Sequence, residues 1–349
     1  AQESRGLGDV YKRQVNEERQ DGIKAEERPE KIKGLAFLDE DGHMVFTGAR
    51  EPIDMSTIPF CYENMEDFKN RIIYYESSRG CPFRCSYCLS SIEKKLRFRD
   101  IELVKRELAF FIEKEVPQVK FVDRTFNCDH KHAMEIWKFI REHDRGITNF
   151  HFEIAADLLT DEEIAFISGL RPGLIQLEIG VQTTHPETIT EIHRKMDLTR
   201  VKQVVREIKK NKNVHQHLDL IAGLPYEDYE TFQKSFDEIY ALKPEQLQLG
   251  FLKVLKGSFL FEHAKEYGIV YGSRPPYEVL KTAWLDYDAV LKIKQVEEML
   301  EVYYNSRQYP MSIRLLDEPF KDPAAGDFAR VCGGDRRGTS GCPKRGGGL

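Results

Sequence analysis

The sequence has no run of about 18 or more apolar residues, the length that a membrane-spanning helix needs. It has no N-terminal segment in which positive charge precedes an apolar stretch and a small-residue cleavage site, so no signal peptide is predicted. It also lacks an excess of positive charge, since its formal net charge is −6. Nucleic acid is not an expected partner, because binding to nucleic acid depends on clustered Lys and Arg. We expect a cytoplasmic protein that does not contact a membrane.

Cysteine is scarce, with seven among 349 residues, and an odd number does not suit a framework of disulfides. Three of the seven fall within eight residues, at Cys81, Cys85 and Cys88. Such clustering is typical of metal ligation in a reducing compartment.

Composition divides the chain into five segments. Residues 1–31 are charge-rich without helical or strand periodicity, and their opening resembles translated sequencing-adapter read-through, so they are predicted to be disordered or artefactual. Residues 32–70 form a linker with a β-hairpin at 35–38 and 44–46. A core barrel over 71–255 and a C-terminal helical region over 256–310, with helix across 276–306, are predicted next. The tail at 311–349 is predicted to be disordered, because its glycine-rich end cannot bury enough apolar area.

From residue 71 onward, short β-branched or aromatic runs alternate with longer segments of helical period. This alternation is typical of βα units around a parallel sheet, so the fold class is α/β. Six units favour a partial (β/α)6 TIM-like barrel, with a doubly wound open sheet as the competing topology. Strands are predicted at 71–76, 118–122, 149–154, 174–180, 214–221 and 245–251, and helices at 100–115, 130–143, 161–169, 199–210 and 228–242.

The three clustered cysteines follow the first barrel strand, where a barrel places its active site. Iron–sulfur clusters usually take four thiolates, so three would leave one iron open to a substrate or cofactor. Structural zinc is the alternative, although CxxxCxxC is not the usual zinc spacing. Cys61 and Cys128 are interpreted as small apolar residues instead of further ligands.

The motif CxxxCxΦC, with the aromatic Tyr87 before its third cysteine, resembles that of the radical S-adenosylmethionine (SAM) superfamily over residues 70–255. The chain further resembles the cobalamin-binding-domain-associated members that carry a C-terminal domain of unknown function, here from about residue 276. The resemblance implies a 4Fe-4S cluster on Cys81, Cys85 and Cys88 that cleaves SAM to a 5′-deoxyadenosyl radical, which removes hydrogen from a substrate. It also implies that a cobalamin domain belongs only to a longer parent chain.

Seven further residues are candidate SAM contacts through the same resemblance. Tyr87 would lie near adenine, Asp123 near the SAM amino group in place of a glycine-rich motif, and Glu153 would reach SAM from the third strand. Gln182 resembles the glutamine near the ribose, and Arg194 the arginine that pairs with the SAM carboxylate. Asp219 resembles a ribose-binding aspartate, and Gly223 would let the backbone approach adenine closely.

Several alternatives stay open. Glu153, Glu178 and Asp219 are acids within apolar strands that bind either a ligand or a salt-bridge partner, and Glu178 could face the helix layer. His215 and His217 are interpreted as structural, and Asn127, Asp157 and Lys253 are candidates to line a substrate site. A flavodoxin- or ferredoxin-type electron donor is expected, since sulfonium cleavage needs a low potential. A non-catalytic iron–sulfur or zinc module is the alternative function, and an RNA-modifying enzyme is disfavoured by the charge.

Overall fold

A computed structural model describes residues 32–311 except residues 40, 70, 93 and 94. Two compact units meet in sequence between Asp54 and Met55. The described part of the first unit contains an antiparallel hairpin of β1 (Ala36–Leu38) and β2 (Met44–Phe46), which confirms the predicted hairpin. The predicted segment 1–31 lies outside the described residues, as does the predicted tail except for residue 311.

The second unit contains the remaining elements. In chain order its strands are β3 Ile73–Tyr75, β4 Ser78–Arg79, β5 Arg97–Phe98, β6 Gln118–Phe121, β7 Asn149–Ile154, β8 Ile175–Gln182, β9 His215–Ala222, β10 Gln246–Phe251, β11 Val270–Tyr271 and β12 Val279–Lys281. Its helices are α1 Ile101–Glu113, α2 His130–His143, α3 Asp161–Ser168, α4 Pro186–Glu191, α5 Leu198–Lys209, α6 Tyr229–Tyr240, α7 Phe259–Glu262 and α8 Tyr287–Met299, and a π-helix over Leu300–Asn305 continues α8. No described helix is both long and apolar enough to cross a bilayer.

The main sheet has six parallel strands in the order β3-β6-β7-β8-β9-β10. Each new strand of this sheet therefore joins beside the previous one, always in the same direction. In a doubly wound sheet the order reverses at a switch point, which does not happen here. The order confirms the partial (β/α)6 barrel and excludes the competing open sheet.

Strand β8 shows how the barrel is layered. Ile175, Leu177, Ile179 and Val181 are buried in the hydrophobic core, whereas the alternate residues are polar or glycine and only partly buried. Because side chains alternate across a strand, one face packs on the helices and the other faces the barrel interior. The interior face is therefore the place to look for chemistry.

The helices begin where the sequence supplies a side-chain acceptor. Asp100, Asp129, Asp197, Asp228 and Asp286 each accept a hydrogen bond from a backbone N–H in the first turn of α1, α2, α5, α6 and α8. Such caps satisfy donors that a helix leaves unpaired at its start. In α1, α2, α5 and α6 they place the helix start close to its predicted position.

The region after the barrel differs from the prediction. Helix was expected across 276–306, but β12 pairs with β11 as an antiparallel ribbon and α8 begins only at Tyr287. Tertiary pairing decides this segment, since Val279 is fully buried. The segment predicted as a linker also differs, because its second half belongs to the barrel unit, where Phe60 and Tyr62 pack on Phe111.

Candidate functional site

The cysteine loop follows β3 at the carboxyl end of the sheet. Cys81 and Cys85 are buried and Cys88 is partly buried, and all three line one cleft. Ser86 fixes the loop, because its N–H donates to the Ile192 carbonyl and its carbonyl accepts from the Leu260 N–H. Hydrogen bonds therefore fix the backbone that carries the thiols, and the thiols face the cleft at the carboxyl end of the barrel.

Asp123 is not among the residues that line the cleft, and it supports the segment just before the cysteine loop. It is fully buried, and its carboxylate accepts hydrogen bonds from the Ser77 N–H at 3.0 Å, the Ser77 hydroxyl at 2.7 Å and the Ser78 hydroxyl at 2.6 Å. Burial raises the pKa of Asp123 to about 6, although these hydrogen bonds oppose the rise. Because its oxygens are engaged away from the cleft, Asp123 is a support for the turn before Cys81.

Five of the other predicted contacts surround the thiols in the same cleft: Tyr87, Glu153, Gln182, Arg194 and Asp219. They come from the cysteine loop, from β7, β8 and β9, and from the loop after α4. The parallel barrel brings them together because the carboxyl ends of its strands share one edge. The individual roles of these residues toward SAM stay predictions.

Arg194 places a positive charge beside the Cys85 thiol. Its Nη1 donates to the Tyr87 hydroxyl at 3.1 Å and lies 3.9 Å from the Cys85 sulfur, and its Nη2 donates to the Gly180 carbonyl. Burial raises the pKa of the Cys85 thiol, and the positive charge of Arg194 opposes that rise. Arg194 thus favours the thiolate form that metal binding requires.

A β-bulge in β8 aims Gln182 at the cleft. The pairing of β8 with β9 shifts register between Gly180 and Gln182, and Gln182 has a φ of 73°. Its amide folds back over Gly180, where a Cβ would lie only 2.3 Å from the Gln182 Nε2. The Gln182 Oε1 is buried without a hydrogen-bond partner among the described residues. It is therefore an acceptor available to a ligand.

Three acidic side chains line the cleft, and their pKa values are shifted differently. Burial and the neighbouring Glu178 raise the pKa of Glu153 to about 7. Burial would also raise the pKa of Glu178, but His151 and Lys120 outweigh it and hold the pKa at about 2. Burial raises the pKa of Asp219 against the opposing effect of His217. Glu178 lines the cleft, so its side chain faces the barrel interior and not the helix layer.

Other predicted residues lie elsewhere. Gly223 has a φ of 88°, and a Cβ there would lie 2.7 Å from Val279 Cγ1, so the close approach that it permits is to β12 and not to a cleft ligand. Asn127 is fully buried and bonds the Ala155 backbone, and Lys253 is exposed beside Glu278. Asp157 does line the cleft.

Arg124 and Thr125, from the segment 121–127 that stands in place of the glycine-rich motif, line the cleft, and so does Lys195, to which sequence reasoning assigned no role. The Thr125 hydroxyl lies 3.6 Å from the Cys81 sulfur. Their positions just after β6 and just after Arg194 were the available signal, because strand ends and loops form this edge of a barrel.

The donor set fits the expected cofactors. Three thiols converge on one cleft, and thiolates are the ligands that iron–sulfur clusters take. Beside them stand the Arg194 guanidinium, suited to a carboxylate, and the unpartnered Gln182 Oε1, suited to a hydroxyl or ammonium donor.

Comparisons with known proteins match the part of the chain that carries this cleft to a known superfamily. Residues 75–239 match the radical SAM superfamily, and residues 265–328 match a protein family of unknown function, DUF4080. Among curated proteins, the chain is 23% identical over 215 residues to the anaerobic magnesium-protoporphyrin IX monomethyl ester cyclase of Rubrivivax gelatinosus, covering 59% of this chain and 38% of that one. It is 24% identical over 241 residues to an uncharacterized methyltransferase of Pyrococcus horikoshii, covering 66% and 50%. The chain thus spans half the length of these relatives or less.

Solved structures show the same fold. The radical SAM methyltransferase TsrM from Kitasatospora setae, with cobalamin and a 4Fe-4S cluster bound, aligns with a TM-score of 0.61 at 18% identity over 77% of this chain and 58% of that chain. The cobalamin-dependent SAM radical enzyme OxsB aligns with a TM-score of 0.53 at 14% identity over 72% and 37%. At this identity the likeness concerns the fold.

A partial barrel with a three-cysteine loop at its carboxyl edge is the architecture of an enzyme of the radical SAM class. Residues 75–239 form a radical SAM domain, and residues 265–328 match the DUF4080 family.

Proposed function

We propose that this chain binds a 4Fe-4S cluster through Cys81, Cys85 and Cys88 and binds SAM in the adjoining cleft. One observation carries the proposal: the three thiols, Arg194 and Gln182 line a single cleft at the carboxyl edge of the barrel. When bound, the cluster would pass one electron to the sulfonium of SAM, which would break the bond from sulfur to C5′ and give methionine and a 5′-deoxyadenosyl radical able to remove a hydrogen atom from a substrate.

The protein's own part is to hold and orient the ligands. Arg194 keeps positive charge beside Cys85 and presents a planar guanidinium to a carboxylate. Gln182 offers a buried acceptor, and Asp219 offers a carboxylate one strand away. Tyr87 is held by Arg194 and narrows the cleft beside the thiols. Fixed polar groups of this kind position a reactive cofactor and exclude water.

In a longer parent protein, we propose that the same domain serves cobalamin-linked methyl transfer. The support is that the matched relatives include a methyltransferase and a cyclase, and that the matched structures include cobalamin-dependent enzymes. A flavodoxin- or ferredoxin-type donor would supply the electron in a reducing compartment such as the cytoplasm.

The test is anaerobic reconstitution with iron and sulfide, followed by dithionite and SAM and by chromatographic detection of 5′-deoxyadenosine. The intact chain should form the product, and Cys85→Ala should form none. Cys61→Ala is the matched control, because Cys61 is exposed and does not line the cleft. A fully loaded cluster that yields no 5′-deoxyadenosine would favour the non-catalytic metal module.

A further inference from the structure

The barrel interior holds a second group of ligand-type side chains beneath the cleft. His151 on β7, Glu178 on β8 and His217 on β9 come from three neighbouring strands, and Glu178 and His217 are direct register partners. All three project to the polar interior face. Strands of a parallel sheet are rigid supports, so these positions are held more firmly than loop positions would be.

The ligand atoms of the three side chains already lie at metal-site separations. His151 Nε2 is 2.9 Å from Glu178 Oε2, and the nitrogens of both histidines and the carboxylate oxygen all lie within 4.8 Å of one another. Two ligand atoms that each lie about 2.0–2.2 Å from the same metal ion are about 3–3.5 Å from each other, for ligand–metal–ligand angles between a right angle and the tetrahedral angle. Side-chain adjustments of about an ångström would therefore close the group around an ion.

Both histidine nitrogens are buried but lack well-formed hydrogen bonds. His151 and His217 are each 6% exposed, and neither Nε2 makes a hydrogen bond of acceptable geometry to any described residue. The nearest carboxylate oxygens are at 2.9 Å for His151 and at 3.1 Å, on Asp219, for His217. Buried polar atoms are normally satisfied, so two such nitrogens within 4.8 Å of one another and of the Glu178 carboxylate could share a bound ion.

Lys120 is the competitor for this position. Its ammonium lies 2.9 Å from the same Glu178 oxygen that faces His151. Without a metal ion, the lysine supplies the positive charge that a buried carboxylate needs. A divalent ion would have to displace this ammonium, which lies on a flexible side chain.

We propose that His151, Glu178 and His217 form a binding site for a divalent transition-metal ion, separate from the three-cysteine site. Two imidazoles and one carboxylate are the ligand type that Fe²⁺, Co²⁺ and Zn²⁺ share. Because Glu178 lines the cleft, an ion bound to its carboxylate would keep a coordination position that faces the cleft. This site does not depend on the proposed SAM chemistry.

The experiment adds Co²⁺ to the intact, iron-reconstituted chain without oxygen and measures cobalt content and the visible spectrum after desalting. One cobalt per chain is expected, with the spectrum of nitrogen and oxygen ligation. Cobalt on empty cysteines would show intense thiolate charge-transfer bands and is recognised separately. His151→Gln and His217→Gln should each weaken cobalt binding by about 100-fold or more, since even outer partners of metal ligands are worth about 10–100-fold.

His215→Gln is the matched control, because His215 lies on the same interior face of β9, two residues from His217, but outside the group. It should keep the cobalt. Lys120→Met should tighten binding by roughly tenfold or more, because it removes a like charge from the site. Glu178→Gln provides a second test if a histidine variant does not fold. The proposal is overturned if cobalt does not bind with nitrogen and oxygen ligation, or if it remains bound in the His151 and His217 variants.

Discussion

Glu227 is a buried acid that we expect to destabilise the fold at neutral pH and above. It follows β9 and is 1% exposed. Its Oε1 accepts hydrogen bonds from the Thr183 hydroxyl at 2.6 Å and the Ser235 hydroxyl at 3.0 Å, and its Oε2 has no partner among the described residues. Burial raises its pKa from 4.5 to about 7, even though these hydrogen bonds oppose the rise.

The direction of the effect follows from proton binding. Between pH 4.5 and about 7 the folded state holds a proton that the unfolded state has lost, so stability falls as the pH rises through this window. Raising a pKa from 4.5 to about 7 corresponds to about 3 kcal/mol, since a tenfold change in a dissociation constant is about 1.4 kcal/mol. The full penalty is present only above pH 7.

Glu227→Gln removes the ionisable group and keeps an oxygen that accepts both hydroxyl protons. We expect its melting temperature to exceed that of the parent by about 5–10 °C at pH 8 and to differ little at pH 5. Thermal unfolding of both proteins at the two pH values measures this. Glu230→Gln, an exposed change at the start of α6, should have little effect at either pH. An equal effect of Glu227→Gln at pH 5 and pH 8, or a loss of stability at pH 8, would refute the reasoning.

Two further predictions concern stability. Glu107→Ala should lower the free energy of unfolding by about 3–5 kcal/mol in urea titrations, because it leaves the buried Arg99 guanidinium without its carboxylate. A loss below about 1 kcal/mol, typical of exposed ion pairs, would contradict the buried character of this pair. Gly223→Ala should lower the free energy of unfolding by about 1–3 kcal/mol more than Gly146→Ala does in the same titration. The two glycines have similar φ angles, 88° at Gly223 and 83° at Gly146, but only a Cβ at Gly223 would meet another side chain, that of Val279. Equal losses of unfolding free energy in the two variants would mean that Val279 moves aside without strain.

Local patterns in the sequence determined the barrel elements and the cysteine loop. The alternation in 175–182 and the helical period of 101–113 are visible within a few residues, and both predicted elements are confirmed. The proximity of the three thiols could also be predicted without knowledge of long-range contacts, because eight residues of one loop necessarily lie close together. The partners of inward-facing polar residues had no such local signal.

Tertiary structure decided which distant residues meet. Asp123 and Gly223 matched motif positions, but strand register directs Asp123 to Ser77 and Ser78, and β12 packs against Gly223. His217 was interpreted as structural because a pair on one strand lacked a third ligand, and only the alignment of β7, β8 and β9 brings His151 and Glu178 beside it. A local pattern sets which way a side chain points within its own strand, whereas its neighbours depend on the order and register of strands that are far apart in the sequence.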